Sequence, residues 1–149
     1  MLGILNSNQI EHVLQSLIVG RLGCHADNKT YVVPVTYAYN GNYIYGHTKE
    51  GLKIDMMRKN PLFCFEVDVI ENMSNWRSVI AWGKFEELKT PEQRKEGMKI
   101  LMDTVMPLMT GETTISNSMT DSHQNTIEAM KGVVYRIKLT NKTGRYEKS

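Results

Sequence analysis

The chain has 149 residues, 41% of them hydrophobic and 23% charged, which is enough apolar material for one domain spanning residues 1–149. Eighteen basic and sixteen acidic residues leave a net charge of +2 with no strongly basic face, so nucleic acid is not an expected partner. No run approaches the roughly 18 apolar residues of a membrane span, the four histidines lack metal-ligand spacing, and no signal peptide is evident, so a cytoplasmic protein without a metal site is expected.

Ile10, Val13, Leu14 and Leu17 recur at spacings of three and four and predict an opening helix over residues 7–17, capped by Asn6 or Ser7. Ile18 to His25 reads as a strand. Tyr31 to Tyr39 alternates as a pleated strand does, Asn40-Gly41 is a tight-turn dipeptide that tolerates positive φ at both centres, and Asn42 to His47 reads as the return strand of a hairpin. A helix over residues 51–59 follows and must stop at Asn60-Pro61, because a residue before proline avoids helical geometry.

Leu62 to Ile70 is rich in strand formers, and Trp76 to Leu88 reads as a long strand with Trp76, Ser78, Ile80 and Trp82 on one side and Arg77, Val79, Ala81 and Gly83 on the other. Thr90-Pro91-Glu92 starts a helix that runs to about residue 106, with Met98, Leu101, Met102 and Val105 as its apolar stripe. Residues 107–122 read as a loop, residues 123–131 as a short helix, Val133 to Leu139 as a last strand, and Asn141 to Ser149 as a polar tail. Cys24 and Cys64 sit in apolar strand-like runs and are expected to be free thiols in a reducing compartment. About six strands with short connections and few helices predict a mainly β fold, an antiparallel barrel rather than a parallel α/β sheet.

His47, Thr48, Lys49, Gly51 and Lys53 bring hydroxyl, amide and ammonium donors to the junction of a strand end and a helix start, the kind of point at which phosphate binds. Several further segments join this one in a consistent order: Gly20-Arg21-Leu22-Gly23, Pro34-Val35-Thr36-Tyr37, Tyr45-Gly46-His47-Thr48, Gly51-x-Lys53, Asn60-Pro61, Phe63 through Asp68, and Trp76-Arg77-Ser78-Val79 with Gly83-Lys84. Together they resemble the FMN-binding split-barrel family, which includes pyridoxamine 5′-phosphate oxidases and the nitroimidazole-resistance flavoproteins.

That resemblance implies a six-stranded split β-barrel with flanking helices and an FMN cofactor, with FAD as the alternative. It also implies a homodimer with flavin at the subunit interface and a flavin-dependent oxidation or reduction of a small-molecule substrate. Lys53, eight residues before Pro61, falls where the family's lysine meets the flavin phosphate. Gly46, His47 and Thr48 fall at cofactor contacts, Pro34, Val35 and Thr36 on the strand along the isoalloxazine edge, and Arg77 and Ser78 on the family's arginine-containing pair, with Ser78 at a flavin-binding position. Arg21 is a weaker candidate for a second phosphate or ring contact. A non-catalytic flavin or haem carrier, or a flavin-based sensor, is the alternative within the same fold.

Two departures bear on the reaction. The chain ends in Gly144-Arg145-Tyr146-Glu147-Lys148-Ser149, where the oxidases carry an Arg-Leu-His-Asp-Arg-like substrate motif. The nitroimidazole-resistance proteins carry a histidine at the position of Gly46, so His47 stands one residue later, on the other face of a strand.

Overall fold

A computed structural model describes residues 1–108 and 131–149. The expected loop over 107–122, apart from residues 107 and 108, and most of the expected helix over 123–131 lie outside those residues. The elements in order are β1 (Leu2–Ile4), α1 (Ser7–Ser16), β2 (Val19–Ala26), β3 (Lys29–Thr36), β4 (Ala38–Tyr39), β5 (Tyr43–Thr48), α2 (Leu52–Lys59), β6 (Leu62–Asn72), β7 (Asn75–Leu88), α3 (Pro91–Val105), a 3-10 turn (Met106–Leu108) and β8 (Val133–Glu147).

The fold is the antiparallel split barrel, built on eight described strands rather than six. Its strand order is β3-β2-β6-β7-β8-β5-β4, with β1 pairing β8, and the sheet does not close on itself along this path. Two corrections to the expected strands follow. The stretch from Tyr31 to Tyr39 is not one strand: among the described residues β3 pairs only with β2, and β4 pairs with β5. The break falls at Tyr37, whose amide donates to the Ile18 carbonyl (2.8 Å) and whose buried hydroxyl donates to the Leu14 carbonyl (2.8 Å). Burial alone raises that phenol well above its ordinary value.

The second correction concerns the end of the chain, which is no loose tail. β8 continues through Glu147 and pairs with β7 over nearly its whole length, with β5 along its first half and with β1 at its end. Asn40-Gly41 does turn the chain, but only Gly41 takes a positive φ (98°), while Asn40 Oδ1 accepts from the amides of Asn42 and Tyr43. The turn with two left-handed residues is Asp27-Asn28, φ 53° and 62°, between β2 and β3.

The helix starts follow their capping residues. Asn6 and Gln9 form a reciprocal capping box on α1, and Thr90 Oγ1 accepts from the Gln93 amide at the head of α3. One core holds the barrel: Leu22 and Cys24 from β2, Phe63, Phe65 and Val67 from β6, Val79 from β7, and Val13 and Leu14 from α1. Tyr37 meets Phe65 edge-on at 4.8 Å between ring centres.

The opposite, outer face of β3, β2, β6 and β7 follows the strand alternation. It presents Val32, Pro34 and Thr36; Val19, Arg21 and Gly23; Cys64, Glu66 and Asp68; and Ser78, Ile80 and Trp82. Both cysteines are free: Cys24 is buried in the core and Cys64 is half-buried on the outer face.

Candidate functional site

The strongest site begins where β5 ends. Thr48 is half-buried and the last residue of β5, and residues 49–51 lead into α2. Gly51 precedes the helix with extended backbone and no side-chain hydrogen bond to the first turn, and a Cβ placed on it would meet nothing within 4 Å. The start of α2 thus has no side-chain cap, and the helix dipole favours negative charge there, which Asp55 supplies in part within the first turn. Lys53 lies in that first turn, half-buried, with no ion pair and no side-chain hydrogen bond among the described residues.

Burial and the neighbouring Cys64 raise the Cys24 thiol, while the Lys53 charge opposes them. An ammonium at an uncapped helix start, with no ion pair among the described residues, is suited to receive an anion.

The cradle is anchored from its far side. Arg58 Nη1 and Nη2 donate to the two Glu50 oxygens (2.7 and 2.9 Å), and its Nε donates to Glu87 (2.8 Å), so one guanidinium folds the 49–51 segment back along α2 and onto β7. The Arg58 hydrogen bonds hold the Glu50 carboxyl below its ordinary value. At the other end of the helix, Asn60 Nδ2 donates to the His25 carbonyl (2.9 Å) and Lys59 pairs with Asp27 (2.6 Å). Neither the Arg58 bridge nor the Lys59 tie is visible in the spacing of the sequence.

His47 is adjacent to this cradle, but its ring is engaged. Nε2 donates to the Lys131 carbonyl (3.1 Å), which fixes the imidazole at the entry to β8. Gly132 follows at φ 89°, where a Cβ would lie 2.6 Å from the Thr48 carbonyl oxygen. Gly46 is buried, and a Cβ there would collide with the Tyr135 ring, so this position requires its glycine.

The remaining expected residues divide into two further places. Pro34 and Thr36 sit on β3, at the edge of the sheet and on its outer face, while Val35 packs inward. An edge strand tolerates the proline. Ser78 shares that outer face: Pro34, Arg21, Glu66 and Ile80 form one row across four strands, and Ser78 stands two residues from Ile80.

Arg77, its neighbour, leaves β7 on the opposite side, beside the first turns of α1. Ten residues of β7 separate Ser78 from Leu88, which pairs with Val134, itself the partner of His47. That path is about 33 Å along the strand. Within one chain, then, His47, Thr48 and Lys53 come together, Pro34, Thr36 and Ser78 share a face, and Arg77 joins neither group.

The row between Pro34 and Ser78 carries charge that the spacing did not reveal. Arg21 lies 3.7 Å from Glu66 and 3.5 Å from Asp68. Burial, and then the adjacent Asp68, push the Glu66 carboxyl up to about 7, with Arg21 pulling the other way. Among the described residues no cluster of three or more potential ligands could hold a metal, and no helix is long and apolar enough to cross a membrane.

Comparison with known proteins agrees with this architecture. A crystal structure of an FAD-binding protein from Mesorhizobium loti superposes with a TM-score of 0.77 at 27% identity, covering 100% of this chain and 98% of that one. An FAD-binding protein from Mycobacterium smegmatis shares the fold at a TM-score of 0.65 and 19% identity, covering 98% of this chain and 100% of that one. A protein from Bacteroides thetaiotaomicron, described as a candidate for 5-nitroimidazole antibiotic resistance, shares the fold at a TM-score of 0.73 and 17% identity, over 98% of this chain and 87% of that one.

An uncharacterized protein of Rhizobium meliloti is 33% identical over 85 residues, 57% of this chain and 56% of its own length, so the match spans about half of that relative. The family model for pyridoxamine 5′-phosphate oxidase matches residues 6–146, and by that match the chain belongs to the pyridoxamine 5′-phosphate oxidase family.

Proposed function

We propose that the protein binds FMN, with the flavin phosphate on the Thr48–Lys53 cradle, and acts as a homodimeric flavin-dependent oxidoreductase on a small molecule. The observation that carries this reading is Lys53: a half-buried ammonium with no counter-ion among the described residues, in the first turn of an uncapped helix. A terminal phosphate dianion fits that donor set, with the Thr48 hydroxyl, the α2 amides and Lys53 as its ligands. The flavin itself supplies the electron transfer. The chain's part is to fix the phosphate, to offer the β3 backbone at Pro34 to Thr36 to the ring edge, and to hold the 49–51 segment through Arg58.

Two observations support a second copy at the site. Ser78 is carried about 33 Å along β7 from the cradle level, so a flavin contact by Ser78 is assigned to the partner chain. The outer face on which it stands also exposes apolar area: Val32 is 64% exposed, Val19 48%, Trp82 40% and Ile80 38%. An exposed apolar sheet face of this extent suits an interface between copies. Free thiols and soluble-domain composition support a cytoplasmic setting.

The test is an absorbance spectrum of the purified protein, chromatography of the released chromophore, and the molar mass in solution. Bands near roughly 370 and 450 nm, FMN on release, one flavin per chain and a dimer mass are expected, and FAD on release would correct the cofactor. Turnover with NADH or NADPH separates an enzyme from a carrier. A monomer that takes up neither flavin would sink the proposal.

A further inference from the structure

Arg77 lines an open cavity of about 700 Å³ at the α1 end of the barrel, remote from the Thr48–Lys53 cradle. Its guanidinium makes no ion pair and no hydrogen bond among the described residues. Glu71 and Glu147 line the same cavity without pairing with it, and the Glu147 carboxylate instead accepts from the Trp76 indole nitrogen (3.2 Å). From α1, Asn8 and His12 face the cavity one helical turn apart, and neither forms a hydrogen bond among the described residues. The start of α1 is closed by its own capping box, so these side chains, and not the helix amides, are the donors on offer.

The floor is apolar, formed by Leu5, Val13 and Val69. The Tyr146 ring forms one wall, lying against Gly3, where a Cβ would collide with it. Trp76 borders the cavity only along the β7 backbone: its side chain leaves the strand on the opposite face, where its indole nitrogen donates to Glu147. An apolar floor with an aromatic wall and a few convergent, uncommitted polar groups is the composition of a small-ligand pocket. The planar guanidinium fork matches a carboxylate with two parallel hydrogen bonds.

We propose that this cavity binds small aromatic carboxylates, with Arg77 holding the carboxylate, Tyr146 against the ring, and Asn8 and His12 at the rim. The site is separate from the proposed flavin cradle and does not depend on it.

The test uses the backbone amide resonances in a proton–nitrogen correlation spectrum of the full-length protein, with whatever cofactor it carries. Benzoate and nicotinate are expected to shift the Tyr146 amide saturably, with dissociation constants of about 1 mM or tighter. Nicotinamide, of the same shape without the carboxylate, is expected to bind far more weakly. Arg77→Gln is expected to weaken benzoate roughly tenfold or more, and Arg77→Lys by less, because the charge survives while the fork is lost. The remaining resonances report whether each variant is folded. No saturable shift with either carboxylate, equal affinity in folded Arg77→Gln, or nicotinamide matching nicotinate would each overturn the proposal.

Discussion

Replacing Lys53 with alanine should separate phosphate recognition from ring recognition. Lys53 makes no ion pair and no side-chain hydrogen bond among the described residues, so its removal orphans no carboxylate. The cost should therefore fall on the ligand. A charge-assisted hydrogen bond to a phosphate contributes about 1.5–3 kcal/mol, or roughly ten- to a hundredfold in affinity. The α2 amides remain and contribute about 0.3–1 kcal/mol through the helix dipole, so binding should weaken without vanishing. Calorimetric titration of FMN and of riboflavin into flavin-free protein, wild type and Lys53→Ala, measures the two contributions separately. FMN should lose the stated factor, riboflavin should lose little, and added salt should narrow the gap between the proteins. The flavin-free variant should unfold within about 0.5 kcal/mol of wild type, as surface changes do. Equal losses for FMN and riboflavin would refute the reasoning, because Lys53 would then act on the ring or on the fold.

Two further outcomes test other parts of the structure. The Glu66 carboxyl is pushed up from 4.5 to about 7, so the folded state holds a proton that the unfolded state has released, and stability falls as pH rises through that window. With the side chain partly exposed, the loss is roughly 1 kcal/mol. Glu66→Gln should recover it above the window and have little effect below it, which urea denaturation at pH values on either side measures. A gain independent of pH would contradict the assignment. Gly132→Ala places a Cβ 2.6 Å from the Thr48 carbonyl oxygen at a backbone φ of 89°. It should cost about 1–3 kcal/mol of stability and weaken FMN binding, as followed by thermal melting and titration. An unaffected melting temperature would show that the β8 entry relaxes.

Local signals survived folding well. The Thr90-Pro91 helix start and the stop at Asn60-Pro61 appear where the residues predict them, because capping and proline sterics act within one turn. The alternation along β7 holds because that strand has one face on the core. What escaped the sequence depends on distant partners. The break at Tyr37 is set by the Leu14 and Ile18 carbonyls, and the extension of β8 from Asn141 to Glu147 by its register with β7. Those last residues lack apolar alternation, so nothing in them signals a strand.

The site divides in the same way. The donors at 47–53 are contiguous and legible, and the likeness to a known family singled out Lys53 among them as the proposed phosphate ligand. The Arg58 bridge joins residues 8 and 29 positions away, and the Glu66 environment arises only when β2 lies beside β6. Arg77 and Ser78, adjacent in sequence, serve opposite faces, which a one-dimensional motif cannot express.

The position of β8 has a consequence for how the protein is made. It lies between β7 and β5 and also receives β1, so a segment synthesised late joins strands made much earlier. Until residues 133–147 leave the ribosome, β5 and β7 each present an unpaired strand edge on the side that β8 will fill. Pairing over such sequence separations makes for slow completion of the sheet. The nascent chain therefore passes through a sticky interval in which those edges can pair with another chain. A lesion in β8 should then show itself first as poor yield and aggregation during synthesis, before any loss in the behaviour of the molecules that do fold.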